Sequence, residues 1–407
     1  MATEKYTLSN GVRVLIELDQ SVMSAAVGLW CQTGSRNELE NEAGLTHFIE
    51  HMLFKGTPSR TAKQIAEAIE GRGGMLNAFT DKEMTCYYCR VLADDVSNGI
   101  DVLSDMMTHS LMDQEEIDRE CGVILEEIKR SEDEPGDHVH ELHIEGRWGS
   151  HPLGKPIIGT AESVRSFQRD HFVSYMDRQY RAGNIVLGVA GRVDVDALLQ
   201  QAESVLGSLP SGGGGQPATQ PENKVQSREI GKDVEQVHFC IGTESCSLYD
   251  PDLYTFAVLD GVLGSGMSSR LFQEVRERRG LVYSIGSYNL SYTGGGLFTV
   301  YGGTGAQTWG EVQSVVKQEF LKISTQPVPE EELQRVKRSI AGNMVLALES
   351  LNARMSRMVK NELNHNRIIP LEETLDKINR VTNDDLIRVA ERIFAEDRVS
   401  ITAIGPF

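Results

Sequence analysis

The order of strand-like and helix-like segments is nearly the same on the two sides of one glycine- and proline-rich stretch, residues 208–221. That stretch, Ser208-Leu209-Pro210-Ser211-Gly212-Gly213-Gly214-Gly215-Gln216-Pro217-Ala218-Thr219-Gln220-Pro221, suits neither helix nor strand and reads as a linker. Residues 24–30 (SAAVGLW) and 236–242 (QVHFCIG) each read as a strand leading into a helix. Each half continues with a second helix and a β-hairpin, at 76–92 in the first and 283–302 in the second. Long helices at 115–131 and 330–351 correspond, as do late strands at 185–191 and 399–405. The repeat is too long and imperfect for a solenoid. It predicts an α+β protein of two homologous α/β-sandwich domains, each a mainly antiparallel sheet covered by helices. The expected boundaries are 1–210, a linker at 211–224, and 225–407.

Only the first half carries a metal-binding pattern. His47, Glu50 and His51 stand at the spacing H-x-x-E-H, the inverted zinc-peptidase signature. On a helix, residues four apart lie one turn above each other, so both imidazoles can reach one ion. Glu50 projects from the same side. The rest of that helix is Leu45, Phe48, Ile49, Met52 and Leu53, a face made for burial. Polar groups on so apolar a helix are costly unless a metal or hydrogen bonds satisfy them. The alternative is a pair of core histidines with local partners. At the equivalent place the second half reads Thr255-Phe256-Ala257-Val258-Leu259-Asp260, without histidine.

A catalytic zinc site takes three protein ligands and leaves a fourth position open. The third is sought on the helix at 115–131, where Ile117, Cys121, Ile124, Leu125 and Ile128 recur at helical spacing. With Ile117 at zero, Glu120 falls near ~300°, Glu127 near ~280° and Glu126 near ~180°, at about 100° per residue. Glu126 points away from the packed face, so geometry favours Glu120 or Glu127.

Together these motifs resemble the pitrilysin (insulinase) family of zinc metallopeptidases, in its short subclass with the mitochondrial processing peptidase β subunit and bacterial processing peptidases. The resemblance runs over nearly the whole chain. In that family the third ligand is the second Glu of an E-x6-E pair; here the pair is Glu120 and Glu127, with Glu127 standing 76 residues after His51. The resemblance implies one Zn2+ per chain on His47, His51 and Glu127, Glu50 as the general base, and Glu120 in support. Residues 73–80 resemble the family's edge strand, which implies substrate backbone binding by Asn77, Ala78 and Phe79, a mode that makes few demands on side chains. Phe54 matches a position lining the pocket after the scissile bond. Residues 276–283 (RERRGLVY) match a segment that implies Arg276 and Tyr283 as donors to substrate carbonyls or the oxyanion. Asp137 and Glu141 match acidic positions that read an arginine before the cut, since carboxylates can grip a guanidinium.

Bulk properties narrow the partners. Formal net charge is −19 over 407 residues, which argues against nucleic acid or an anionic membrane surface and favours basic peptides. Residues 1–6 lead into a strand-like segment with no apolar signal region, and no stretch approaches a membrane span. Six cysteines follow no disulfide spacing; Cys86 and Cys89, three apart on a strand, point to opposite faces. A reducing cytoplasm is the expected setting. The glycine-rich run 261–269 lacks the G-K-[ST] ending of a phosphate loop, which argues against nucleotide. His138, His140, His143 and His151 show no ligand spacing.

The expected activity is endopeptidase cleavage of unfolded or short peptides. Two domains are half of what the large family members use to close a chamber. A homodimer, or a heterodimer with an inactive homologue, is therefore expected. A non-catalytic assembly subunit is the rival from another class, but such subunits typically lose the metal triplet that this chain keeps.

Overall fold

The computed structural model describes residues 3–213 and 218–407, so residues 214–217 of the expected linker lie outside the described residues. Its first sheet has six strands: β1 (Thr3–Thr7), β2 (Arg13–Leu18), β3 (Ser24–Cys31), β4 (Met75–Thr80), β5 (Thr85–Leu92) and β6 (Ile185–Gly191). Their order is β1-β2-β6-β3-β5-β4, antiparallel except where β2 runs parallel to β6. The second has β7 (Ser227–Gly231), β8 (Val237–Glu244), β9 (Val282–Tyr292), β10 (Gly295–Thr304) and β11 (Ser400–Gly405) in the order β7-β11-β8-β10-β9. Only β7 and β11 pair in parallel. Strand for strand, β2-β6-β3-β5-β4 is repeated as β7-β11-β8-β10-β9. The duplication expected from the sequence is thus a duplication of topology, with β1 added to the first copy.

Side-chain alternation explains how the first sheet is covered on both faces. From β3, Val27 and Leu29 enter one core with Tyr87 and Cys89 of β5 and Leu187 and Val189 of β6. Ala26, Trp30, Cys86, Val186 and Ala190 face the opposite side. Cys86 and Cys89 therefore lie on opposite faces, and all six cysteines are free thiols. The first face packs on α1 (Leu45–Leu53), α2 (Ala62–Glu70), α3 (Val96–His109) and α4 (Gln114–Asp133). The second face packs on the helix Leu351–His365 through Met355, Met358 and Val359. Glycine makes that approach close: a Cβ on Gly188 would lie 2.4 Å from Val359 Cγ2.

The compact units do not follow a single cut in the sequence. Unit 1 takes the chain up to Ile128, the stretch from Lys155 into the linker, and Ala347–Ile369. Unit 2 takes Lys129–Gly154, Ala218–Leu346 and Pro370–Phe407. Each unit thus includes one helical segment from the other half of the sequence. In unit 2 that segment is α5 (Pro135–Trp148), whose Val139 packs with Cys240 and Ile404 beneath the second sheet. Helix α4 stops where Glu134 turns extended and Pro135 starts α5, since proline suits a first helical turn and breaks an interior. The long helix expected at 330–351 is also interrupted, here without a proline. It ends at Ala347, Ser350 takes an extended φ/ψ of −82°/125°, and a new helix starts at Leu351. No helix among the described residues is long and apolar enough to cross a membrane.

Candidate metal centre

Helix α1 is held in place by packing and by its first-turn hydrogen bonds. Leu45, Phe48, Ile49, Met52 and Leu53 are all buried, and Phe48 meets Phe172 edge-on at 4.9 Å between ring centroids. Its first turn is satisfied from outside: Glu38 accepts hydrogen bonds from the backbone N–H groups of Gly44 (3.0 Å) and Thr46 (2.8 Å). A carboxylate there complements the positive end of the helix. Gly44 holds φ +92°, and a Cβ on it would lie 2.6 Å from the Ile158 carbonyl oxygen, so glycine is required at this entry.

With the apolar face buried, His47, Glu50 and His51 project from the other side. Helix α4 buries Ile117, Ile124 and Ile128, and its flank presents Glu120, buried, and Glu127, whose side chain is 45% exposed. The structure brings His47, His51 and Glu127 together, with one ligand atom from each within 4.8 Å of the others. His47 Nε2 stands 3.8 Å from Glu127 Oε1, and His51 Nε2 stands 3.7 Å from Glu127 Oε2. Ligands about 2.0–2.2 Å from a tetrahedral zinc lie roughly 3.3–3.6 Å apart, so Glu127 already stands near that spacing from each imidazole.

The surroundings favour ligation through Nε2. His51 Nδ1 meets Glu120 Oε2 at 3.1 Å, an arrangement that puts the ring proton on Nδ1 and leaves Nε2 free. Burial, with His51 adding to it, pushes the His47 imidazole down to about 4, so it is neutral and able to ligate. Its buried Nδ1 has no hydrogen-bond partner among the described residues, so packing alone orients that ring. Burial also raises Glu50 above the usual carboxylate range, opposed by a hydrogen bond from Thr80. Two imidazoles and one carboxylate are a zinc donor set with a fourth position left open. The residues present fit that ion.

The other expected site residues fall in different places. Phe54 caps the end of α1, half-buried against the first core. Asn77, Ala78 and Phe79 lie on β4, the edge strand of the first sheet, whose outer side pairs with no other strand among the described residues. Asn77 is exposed, whereas Phe79 packs edge-on against Trp30 at 5.4 Å between ring centroids. Arg276 and Tyr283 belong to unit 2, where the Arg276 guanidinium lies over the Tyr283 ring, 5.4 Å from its centroid. The Tyr283 side chain is open to solvent. Asp137 and Glu141 sit on α5, also in unit 2, and the Asp137 charge bears on His140. Sequence reasoning missed Thr80, Lys55 and Glu38, which touch this machinery without matching its motif. For Lys55 a signal existed: it follows His51 by four residues, one helical turn.

Comparison with known proteins adds relatives to this geometry. A family model described as Insulinase (Peptidase family M16) matches residues 13–161, which hold the whole candidate metal centre. A second, described as Peptidase M16 inactive domain, matches residues 166–340. A Bacillus subtilis protein described as an uncharacterized zinc protease is 39% identical over 403 residues, covering 99% of this chain and 98% of the relative. A Streptomyces coelicolor protein with the same description is 38% identical, covering 98% of this chain and 89% of the relative. Among solved structures, a peptidase M16 inactive domain from Pseudomonas fluorescens superposes with a TM-score of 0.93 at 20% identity, covering 100% of this chain and 98% of that one. A protease from Helicobacter pylori does so with a TM-score of 0.91 at 20% identity, covering 100% and 99%. These two speak to the fold. The family models and the sequence relatives establish that the chain belongs to the insulinase family of peptidases, family M16.

Proposed function

We propose that the chain is a zinc-dependent endopeptidase acting on unfolded or short peptides, with His47, His51 and Glu127 holding one zinc ion. The observation that carries this reading is the convergence of those three side chains, with Glu120 fixing the ring of His51 and Glu50 one residue away on the same helix. When bound, zinc supplies a Lewis acid for the scissile carbonyl and for the attacking water.

The chain's own residues do the rest. Glu50, whose burial favours proton uptake, takes a proton from the attacking water and passes it to the departing amine nitrogen. The open edge of β4 offers main-chain hydrogen bonds to an extended peptide, which suits cleavage that depends little on side chains. Asn77, Ala78 and Phe79 lie along that edge, and Phe54 borders the residue after the cut. Arg276 and Tyr283, packed on each other with Tyr283 exposed, are assigned to the substrate carbonyl or the oxyanion. Asp137 and Glu141 give a preference for arginine near the cut; a cleavage profile over a peptide library without basic preference removes that part of the reading. The active form is a dimer, with a second copy or an inactive homologue, and a monomeric mass in solution counts against it.

The test is cleavage of an internally quenched, arginine-containing peptide by the wild type, by Glu50→Gln, and by chelator-treated protein. Activity in the wild type alone, restored to the chelated sample by zinc, is the expected result. Turnover by Glu50→Gln near the wild-type rate would refute the assignment of the base.

A further inference from the structure

Glu120 is a costly group where it stands. Its side chain is 7% exposed, on the buried flank of α4, and a carboxylate so placed must have its oxygens satisfied. One oxygen meets His51 Nδ1 at 3.1 Å. The other meets the ammonium of Lys55, with Lys55 Nζ 2.6 Å from Glu120 Oε1. Lys55 lies just past the end of α1, one turn beyond His51, so one helix end supplies both groups that grip Glu120. Its side chain is 28% exposed, and much of its length is therefore held against the protein.

The grip also differs between the two histidines. His47 has no partner on Nδ1 among the described residues and is oriented by packing. The orientation of His51 depends on where the Glu120 carboxylate sits, and Lys55 is what holds the far oxygen of that carboxylate. We infer that Lys55 is a positioning residue for the metal centre, acting through Glu120 to aim the His51 ring. The chain of contacts is Lys55 Nζ to Glu120, Glu120 to His51 Nδ1, and His51 Nε2 to the ion. Without the ammonium, the carboxylate is free to swing off Nδ1, and the imidazole loses the partner that fixes its rotation. The inference rests on the metal-site reading above.

The experiment measures zinc affinity rather than turnover, by competition between the protein and a chromophoric chelator. Wild type, His47→Ala, Lys55→Met, Glu120→Gln and Lys55→Met/Glu120→Gln are compared, each with its melting temperature in the metal-free state. Partners that orient a ligand typically change metal affinity by about 10–100-fold, and Lys55, one step further out, is expected to cost about tenfold. In the Glu120→Gln background the same change should have an effect of less than about threefold, because the path through Glu120 is already broken. A loss below about threefold in Lys55→Met, or an undiminished loss in the Glu120→Gln background, overturns the inference. If Lys55→Met does not fold, Lys55→Gln, which keeps a polar end, is judged by the same two comparisons. A wild type that takes up no zinc ends the metal-site reading, and this inference with it. A wild type that binds zinc, loses it in His47→Ala and matches Lys55→Met ends the inference alone.

Discussion

The hydroxyl of Thr80, on edge strand β4, donates a hydrogen bond to the carboxylate of Glu50 on α1. The second unit repeats this relationship. Ser287 on β9, which is the edge strand of its own sheet, donates to Asp260 on the helix Leu253–Leu263. An acid on the first helix and a hydroxyl on the edge strand are therefore a feature of the duplicated plan. The histidines exist on one side only.

In the first unit that bond gives Thr80 a consequence for turnover. A hydrogen bond to a charged group contributes about 1.5–3 kcal/mol, so Thr80→Val should lower kcat by roughly 10–100-fold. Thr80→Ser keeps the donor and should stay near wild type. Steady-state cleavage of the quenched peptide separates the possibilities. A change confined to KM would mean that Thr80 serves the peptide-binding edge of β4 and not the base.

In the second unit the same bond lacks a metal partner, and the acid feels its burial. Burial pushes Asp260 up to about 6, with the Ser287 hydrogen bond opposing. An acid with a folded pKa above its unfolded value of about 3.9 holds its proton longer when folded. Its contribution to stability is thus full below about pH 4, declines as pH rises to about 6, and is constant beyond. The loss over that window is on the order of 2–3 kcal/mol. Urea midpoints taken from pH 4 to pH 8 should show this decline in the wild type and a flatter profile in Asp260→Asn, with the variant more stable at neutral pH. Parallel profiles would show that Asp260 is ionised throughout.

The contrast between these units explains what the sequence made legible. His47, Glu50 and His51 could be placed on one helix face because the apolar set Leu45, Phe48, Ile49, Met52 and Leu53 defined the other. The isoleucines of α4 marked its packed side in the same way and narrowed the third ligand to Glu120 or Glu127, between which the family resemblance chose. Those are local periodicities, and periodicity survives folding. What was hidden depended on contacts across long stretches of chain. Thr80 reaches Glu50 only because β4 packs beside α1, and Lys55 meets Glu120 across 65 positions. Composition marked the segment around Pro210 and Pro217 as a linker, but not that the helix Leu351–His365 packs on the sheet of unit 1. That helix carries no signal of its destination, because small residues such as Gly188 select it from the far side.

Glu38 tests how far the motif helix depends on its cap. It binds two backbone N–H groups at the start of α1, and no other side chain among the described residues takes both. Loss of such a cap costs about 0.5–2 kcal/mol. Glu38→Ala should lower thermal stability by that order and weaken zinc binding, since His47 lies in the turn that would fray. Glu38→Gln, with one acceptor oxygen, should fall between. Zinc affinity unchanged in Glu38→Ala despite a lower melting temperature would separate the cap from the metal centre.

Gly188 offers the sharpest test of the packing of the helix Leu351–His365. An added Cβ would lie 2.4 Å from Val359 Cγ2 and 3.3 Å from Met355 Cγ, and Val359 is fully buried. A strand glycine replaced by alanine would ordinarily gain about 0.4–1 kcal/mol from the unfolded chain. Here the clash should win, because crowding a well-packed core typically costs about 1–3 kcal/mol. Gly188→Ala is therefore expected to destabilise the protein. Val359→Ala, which leaves a cavity, should destabilise it as well. Together they should cost less than the sum, since the new methyl group fills space that the lost valine carbons vacate. Melting temperatures of the four proteins measure the coupling. Simple additivity would mean that the helix is held elsewhere, by the pairing of Arg354 with Glu17 and Asp19 at its first turn.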